Sequence, residues 1–180
     1  MSALGFPHGS RSEPREAALF RCLLLTGTSF SPAGAGPLTP GSEIETFALD
    51  DQYGNEHAVD GGVRGILFAR EMEGGELVKE ALSEAGADLL AEADAVYIAN
   101  VSGMPTLIRR IFALPKMRRR GYPVLLDTEG TLTQDFPGSE GRATLIQLEA
   151  SKVVGISHYD SADAVRTALR SLRREPPAAE

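Results

Sequence analysis

Gly65-Ile-Leu-Phe-Ala69 and Ala95-Val-Tyr-Ile-Ala99, with the stretch between them, decide the fold of this chain. Each is an unbroken apolar run of strand length, the pattern of a strand covered on both faces near the middle of a sheet. Between them Leu77, Val78, Ala81, Leu82 and Ala85 recur at helical spacing, predicting a helix from about Gly75 to Ala85 with Gly86 as its stop. Strand, helix, strand in this order implies a crossover between parallel neighbours.

Working outward toward the C-terminus, Ser102-Gly103-Met104 leads to Pro105, a residue suited to the first position of a helix. Leu107, Ile108, Ile111 and Phe112 then form one helical face, which is expected to end at Leu114-Pro115. Tyr122 to Leu126 predicts a short strand closed by a turn through Asp127–Gly130. Ala143–Leu148 and Lys152–Ile156 predict a hairpin around Glu149-Ala-Ser151. A last helix is expected from Asp160 or Ser161, either able to cap it, with Val165, Ala168, Leu169 and Leu172 as its buried stripe. On the other side, Ile44 to Asp50 alternates like a half-buried strand. Asp51-Gln-Tyr-Gly-Asn55 is turn chemistry, and His57–Val59 returns as the second arm. The fold class is therefore α/β: a central mixed sheet flanked by helices, with an N-terminal β-hairpin. Phe68, Leu82, Ile98, Ile111, Leu145 and Leu169 are expected to share one core.

Composition narrows the functions. With 180 residues, 42% hydrophobic and 24% charged, the chain suits one domain with tails. No stretch is long and apolar enough to span a bilayer. Eighteen Lys and Arg against 25 Asp and Glu leave a net charge of −7, which argues against nucleic acid as a partner. The single cysteine, Cys22, permits no internal disulfide and no CxxC pair. Residues 1–40 differ in composition from the rest. Arg11, Arg15 and Arg21 precede the apolar run Cys22–Phe30, and Ala33-Gly-Ala35 follows as a small-residue cleavage pattern. Residues 1–40 are expected to be a signal peptide or a disordered leader, 41–173 the domain, and 174–180 a disordered tail. Cleavage near Ala35 would place the protein in the periplasm or outside the cell; without cleavage it would be cytoplasmic.

The element order resembles the thioredoxin-like superfamily. Phe47-Ala-Leu49-Asp50-Asp51-Gln-Tyr-Gly54 looks like the F-x-L-x-D-x-x-G opening of its peroxiredoxin and thiol-disulfide oxidoreductase branch. The likeness covers roughly 41–173. It implies a cysteine pair just after the first central strand and a cis-proline before the third. Here those places read Arg70-Glu71-Met72-Glu73-Gly74-Gly75-Glu76 and about Glu140-Gly-Arg142-Ala143, without cysteine or proline. The pattern is most similar to cysteine-less bacterial members of unknown function, and so to a non-redox binding or adaptor protein without cofactor.

Loops at the C-terminal ends of the sheet strands converge on one surface. The candidate binding surface there is Arg70, Glu71, Glu73 and Gly74, with Ser102, Gly103, Met104, Pro105 and Arg142. Amides after Ser102 could hold an anion at a helix start, but the motif is short and a plain strand-to-helix loop is the preferred reading. Lys116, Arg118, Arg119 and Arg120, beside Arg109 and Arg110, form a patch for an anion or acidic partner, or a solvated face, with Met117 as its anchor. Asp127-Thr-Glu129-Gly-Thr131 imitates the opening of haloacid-dehalogenase phosphatases. The chain beyond it is too short for the remaining ligands, so a strand and glycine turn is the reading. His8, His57 and His158 lack metal-ligand spacing, and no catalytic or metal residue is assigned. The partner is an unidentified protein or small molecule. The alternative is an enzyme using non-thiol chemistry through Glu71, Glu73, Asp127 or Arg142.

Overall fold

A computed structural model describes residues 36–173. The expected cleavage pattern, Cys22 and the 174–180 tail lie outside them.

Two strands, β1 (Phe47–Asp50) and β2 (Glu56–Val59), form the antiparallel hairpin. The five-stranded sheet runs in the order β5-β4-β3-β6-β7, from β3 (Gly65–Ala69), β4 (Ala95–Asn100), β5 (Leu125–Asp127), β6 (Ala143–Glu149) and β7 (Lys152–Tyr159). β3, β4 and β5 are parallel neighbours, while β6 and β7 add antiparallel strands. The loop Ala150-Ser151 joins β6 to β7, and both residues have positive φ, the backbone of a two-residue hairpin turn.

The expected single core is two, one on each face of the sheet. Strand alternation sends Leu67 to one face and Ile66 and Phe68 to the other. Leu82, Leu145 and Leu169 lie on the first face, beneath α1 (Met72–Ala81), α2 (Gly86–Glu92) and α5 (Ala162–Leu172). Phe68 and Ile98 lie on the second with Phe136, whose ring meets Phe68 edge-on at 5.5 Å. Ser161 caps α5 by accepting from the Ala164 amide. Arg166 of α5 donates to the Ala81 and Glu80 carbonyls, closing the C-terminal end of α1.

Three elements differ from the sequence expectation. Gly86 opens α2 instead of stopping the previous helix. A Cβ there would lie 2.7 Å from the Tyr122 ring and 2.8 Å from Leu82 Cβ, so glycine is required by close packing. The helix after Pro105 does not end at Pro115. It runs as α3 (Thr106–Ile108), a π-helical turn (Arg109–Ala113) and α4 (Leu114–Arg118). Pro115 has no N–H to donate, and the widened turn ahead of it carries the chain past that gap. Ile111 is not in the core. Leu107, Ile108, Ile111 and Phe112 face solvent, and the inner side of this arm is carried by Met117 and, partly, Leu114.

The strand expected over Tyr122–Leu126 begins only at Leu125 because a side chain takes the pairing ahead of it. Gln52, 1% exposed, donates through Nε2 to the Tyr122 carbonyl at 2.9 Å and accepts from the Val124 amide at 2.8 Å. The amide of Gln52 thus acts as a short backbone segment joining the hairpin to the sheet edge.

Candidate functional site

A cleft of about 430 Å³ opens at the C-terminal ends of β3 and β4. Its walls come from three segments: the first turns of α1 through Met72, Gly75 and Glu76, the end of β4, and the arm at residues 106–118. Ala99 and Tyr97 line it from β4, and Ile108, Phe112 and Met117 from the arm. Its surface is mainly apolar, and Met72 and Met104 stand at its edge as adaptable side chains. Tyr97 is nearly buried. Burial pushes its phenol up to about 12, partly offset by the nearby Arg120 charge. A second, cationic recess adjoins the cleft, lined by Lys79, Lys116, Arg119, Arg120 and Glu76. Glu76 is paired with Lys79, and that hydrogen bond, only partly offset by burial, holds its carboxyl below the ordinary value.

The residues singled out in sequence are dispersed around this cleft. Glu71 and Met104 line it, as do Lys116 and Arg120 from the basic run. Arg70 instead ties a loop down. Its guanidinium donates to the carbonyls of Phe136 at 2.7 Å, Gln134 and Thr133, and lies 5.7 Å over the Phe68 ring. Glu71 also accepts from the Gly141 amide, joining the start of α1 to the loop before β6. Gly74 faces the same loop. A Cβ there would come within 2.3 Å of the Arg142 carbonyl, so helix and loop meet backbone to backbone. The Arg142 side chain is exposed, and Glu73 is exposed in the first turn of α1.

Ser102 is engaged within its own loop, its amide and hydroxyl both donating to Asn100 Oδ1. The Met104 amide donates to the Val101 carbonyl. Gly103 and Pro105 are exposed beside it. Asp127 is 1% exposed and accepts from the Gly130 amide and from the amide and hydroxyl of Thr133. That closes a glycine turn, with Gly130 at φ +79°, and leaves the carboxylate fully engaged. Arg118 donates through Nε to the Gln52 carbonyl, and Arg119 is exposed. Among the described residues no group of His, Cys, Asp and Glu converges as a metal cluster.

Sequence reasoning missed Tyr97, Ala99, Ile108 and Phe112 as cleft residues. Their pattern reads as core, and only the placement of the arm away from the strand ends leaves space between them.

No family model and no curated protein matches the sequence. Solved structures do match by shape. A candidate protein disulfide isomerase from Bacteroides thetaiotaomicron is 13% identical with a TM-score of 0.55, over 77% of this chain and 92% of that one. A candidate thiol:disulfide interchange protein, DsbE, from Chlorobium tepidum is 17% identical with a TM-score of 0.51, over 75% and 95%. Peroxidoxin BcpB from Mycobacterium tuberculosis is 23% identical, with a TM-score of 0.48 over 76% and 99%. The first two show that the fold is thioredoxin-like. The sequence holds one cysteine, Cys22, and none in residues 41–173.

Proposed function

We propose that this chain is a non-redox thioredoxin-like binding module, an adaptor that holds an apolar segment of a protein or small molecule in the cleft. One observation carries the reading. At the start of α1, where the resemblance implies a cysteine pair, the chain has Glu71-Met72, and the space beside it is a cleft walled by methionine, isoleucine and phenylalanine. An attacking thiolate is required for disulfide exchange, and a carboxylate cannot form a mixed disulfide. The lowered carboxyl of Glu76 also runs against a general acid, which needs its pKa raised toward the working pH. The apolar walls supply affinity, and Arg120 with Lys116 at one end orients a ligand carrying an anionic group.

The test pairs an activity assay with a binding assay. The full chain is expected to give no turnover in insulin reduction or peroxide consumption, and Cys22→Ser to change nothing. The apolar anion 1-anilinonaphthalene-8-sulfonate is expected to shift the amide resonances of the α1 start and the β4 end. Gly75→Leu fills the cleft. A Cβ at Gly75 meets only Tyr97 Oη, at 3.8 Å, so the backbone there admits a side chain, and an unchanged melting temperature checks that the variant folds. Resonance shifts that persist in Gly75→Leu, or turnover that Cys22→Ser removes, would refute the reading.

A further inference from the structure

The arm at residues 106–118 carries its apolar side chains on the wrong side for a core helix. Leu107 is 67% exposed, Ile108 45%, Ile111 53% and Phe112 58%. Met72, 77% exposed, and Met104 stand at the cleft edge that Ile108 and Phe112 also line. An apolar patch of this kind marks a surface that is covered by something.

Charge says what covers it. From Ala95 to Leu126 the sequence has no Asp or Glu and six Lys or Arg: Arg109, Arg110, Lys116, Arg118, Arg119 and Arg120. The rest of the chain carries twelve cations against 25 carboxylates. Charge is therefore strongly segregated along the sequence, and the apolar patch lies within the basic segment. Among the described residues none of the six is in an ion pair with a carboxylate. A helix with an outward apolar stripe bordered by Lys and Arg fits a surface that presents anionic groups above an apolar layer. The arm is about 20 Å long at the usual helical rise, enough to lie in such an interface and too short to cross it. No helix among the described residues is long and apolar enough to span a membrane.

We infer that the arm at 106–118 docks on the surface of an anionic lipid bilayer, with Leu107, Ile108, Ile111 and Phe112 entering the headgroup boundary and Arg109, Arg110, Lys116 and Arg119 on the lipid phosphates. The acidic remainder of the protein is repelled by the same surface, so electrostatics fixes the orientation as well as the attraction. The inference goes beyond the cleft reading: it shares Ile108, Phe112 and Lys116 with the cleft, but its outermost side chains, Leu107 and Ile111, do not line it.

The chain has no tryptophan, so Ile111→Trp places a sole tryptophan reporter on the arm. The full-length variant is titrated with vesicles of phosphatidylcholine alone and of phosphatidylcholine mixed with phosphatidylglycerol. The expected result is a blue shift of tryptophan emission with the anionic vesicles only, reversed by molar salt, which shortens the screening length to roughly 3 Å. In vesicle co-sedimentation, Arg109→Gln with Arg110→Gln is expected to weaken binding by roughly tenfold or more. Leu107→Ser with Ile111→Ser is expected to weaken it at least as much. Both pairs are exposed or half-exposed, and unchanged melting temperatures would show that they fold. Gly75→Leu is expected to bind vesicles like the wild type, so failure of the cleft reading and failure of this one are separable. Equal binding to neutral vesicles, binding that survives loss of Leu107 and Ile111, or no vesicle binding at all would overturn the inference. So would concentration-dependent dimerisation through the arm without vesicle binding, which would make a second copy the occupant.

Discussion

The hairpin seam and the arm are both attached beside β5 and β4, and they handle their polar and apolar groups in opposite ways. In the seam the side chains of Asp51 and Gln52 are fully engaged. Asp51 accepts from the Tyr53 and Asn55 amides, Asn55 Nδ2 and His57, and Gln52 completes the pairing of Tyr122 and Val124. Burial alone would raise the Asp51 pKa. The bonds from Asn55, His57 and Tyr53 outweigh it and hold the carboxyl well below the usual range. In the arm four large apolar side chains meet water, and among the described residues the basic groups around them have no carboxylate ion-pair partner. Groups satisfied within the chain stabilise the fold; groups left unsatisfied are available to something else.

Truncation gives the sharpest contrast. Leu145→Ala and Ile98→Ala, each fully buried, are expected to cost roughly 2–5 kcal/mol in denaturant unfolding. Ile111→Ala in the arm is expected to stay within about 0.5 kcal/mol. A large loss at Ile111 would mean that the arm packs inward and that the contrast is false.

In the seam, Gln52→Leu leaves the Tyr122 carbonyl and the Val124 amide without partners. The expected cost is on the order of 1–3 kcal/mol for each buried group, read from the same unfolding midpoints. An unchanged midpoint would show that the hairpin is not fastened through this side chain.

Acid tests the seam more gently. The folded-state pKa of Asp51 is depressed, so its contribution is complete above the unfolded value of about 4 and is lost as pH falls below it toward the folded value. Melting temperature should therefore decline below about pH 4. Asp51→Asn should start lower and decline less steeply over that range. A wild-type acid limb with the slope of the variant would remove Asp51 as its source.

A small effect of the opposite sign is expected at Gly75→Leu. Replacing an open helical glycine should be neutral or raise stability by up to about 1 kcal/mol while closing the cleft. Marked destabilisation would show that the cleft is packed space.

The F-x-L-x-D-x-x-G stretch was legible as a hairpin marker, but its physics was not. Nothing local says that Asp51 gathers four donors or that Gln52 reaches the backbone beside residues 122–124. Gly86 misled for a related reason: a glycine stops a helix or admits a neighbour, and only the Tyr122 ring decides between them. Among the candidate site residues, Glu71, Met104, Lys116 and Arg120 line the cleft, while Arg70 and Asp127 are held by their own loops. A loop residue that binds a ligand and one that ties down its neighbour have the same sequence signature.

The sequence by itself determined the succession of strands, the parallel centre and the absence of a cysteine from residues 41–173, because apolar runs, periodicity and residue type are properties of the chain. The tertiary structure alone decided which side of the arm is covered. Periodicity shows that Leu107, Ile108, Ile111 and Phe112 share a face, but it carries no sign. Met117 and Leu114 supply the inward packing, and the face that looked most like core is left in water beside six cations.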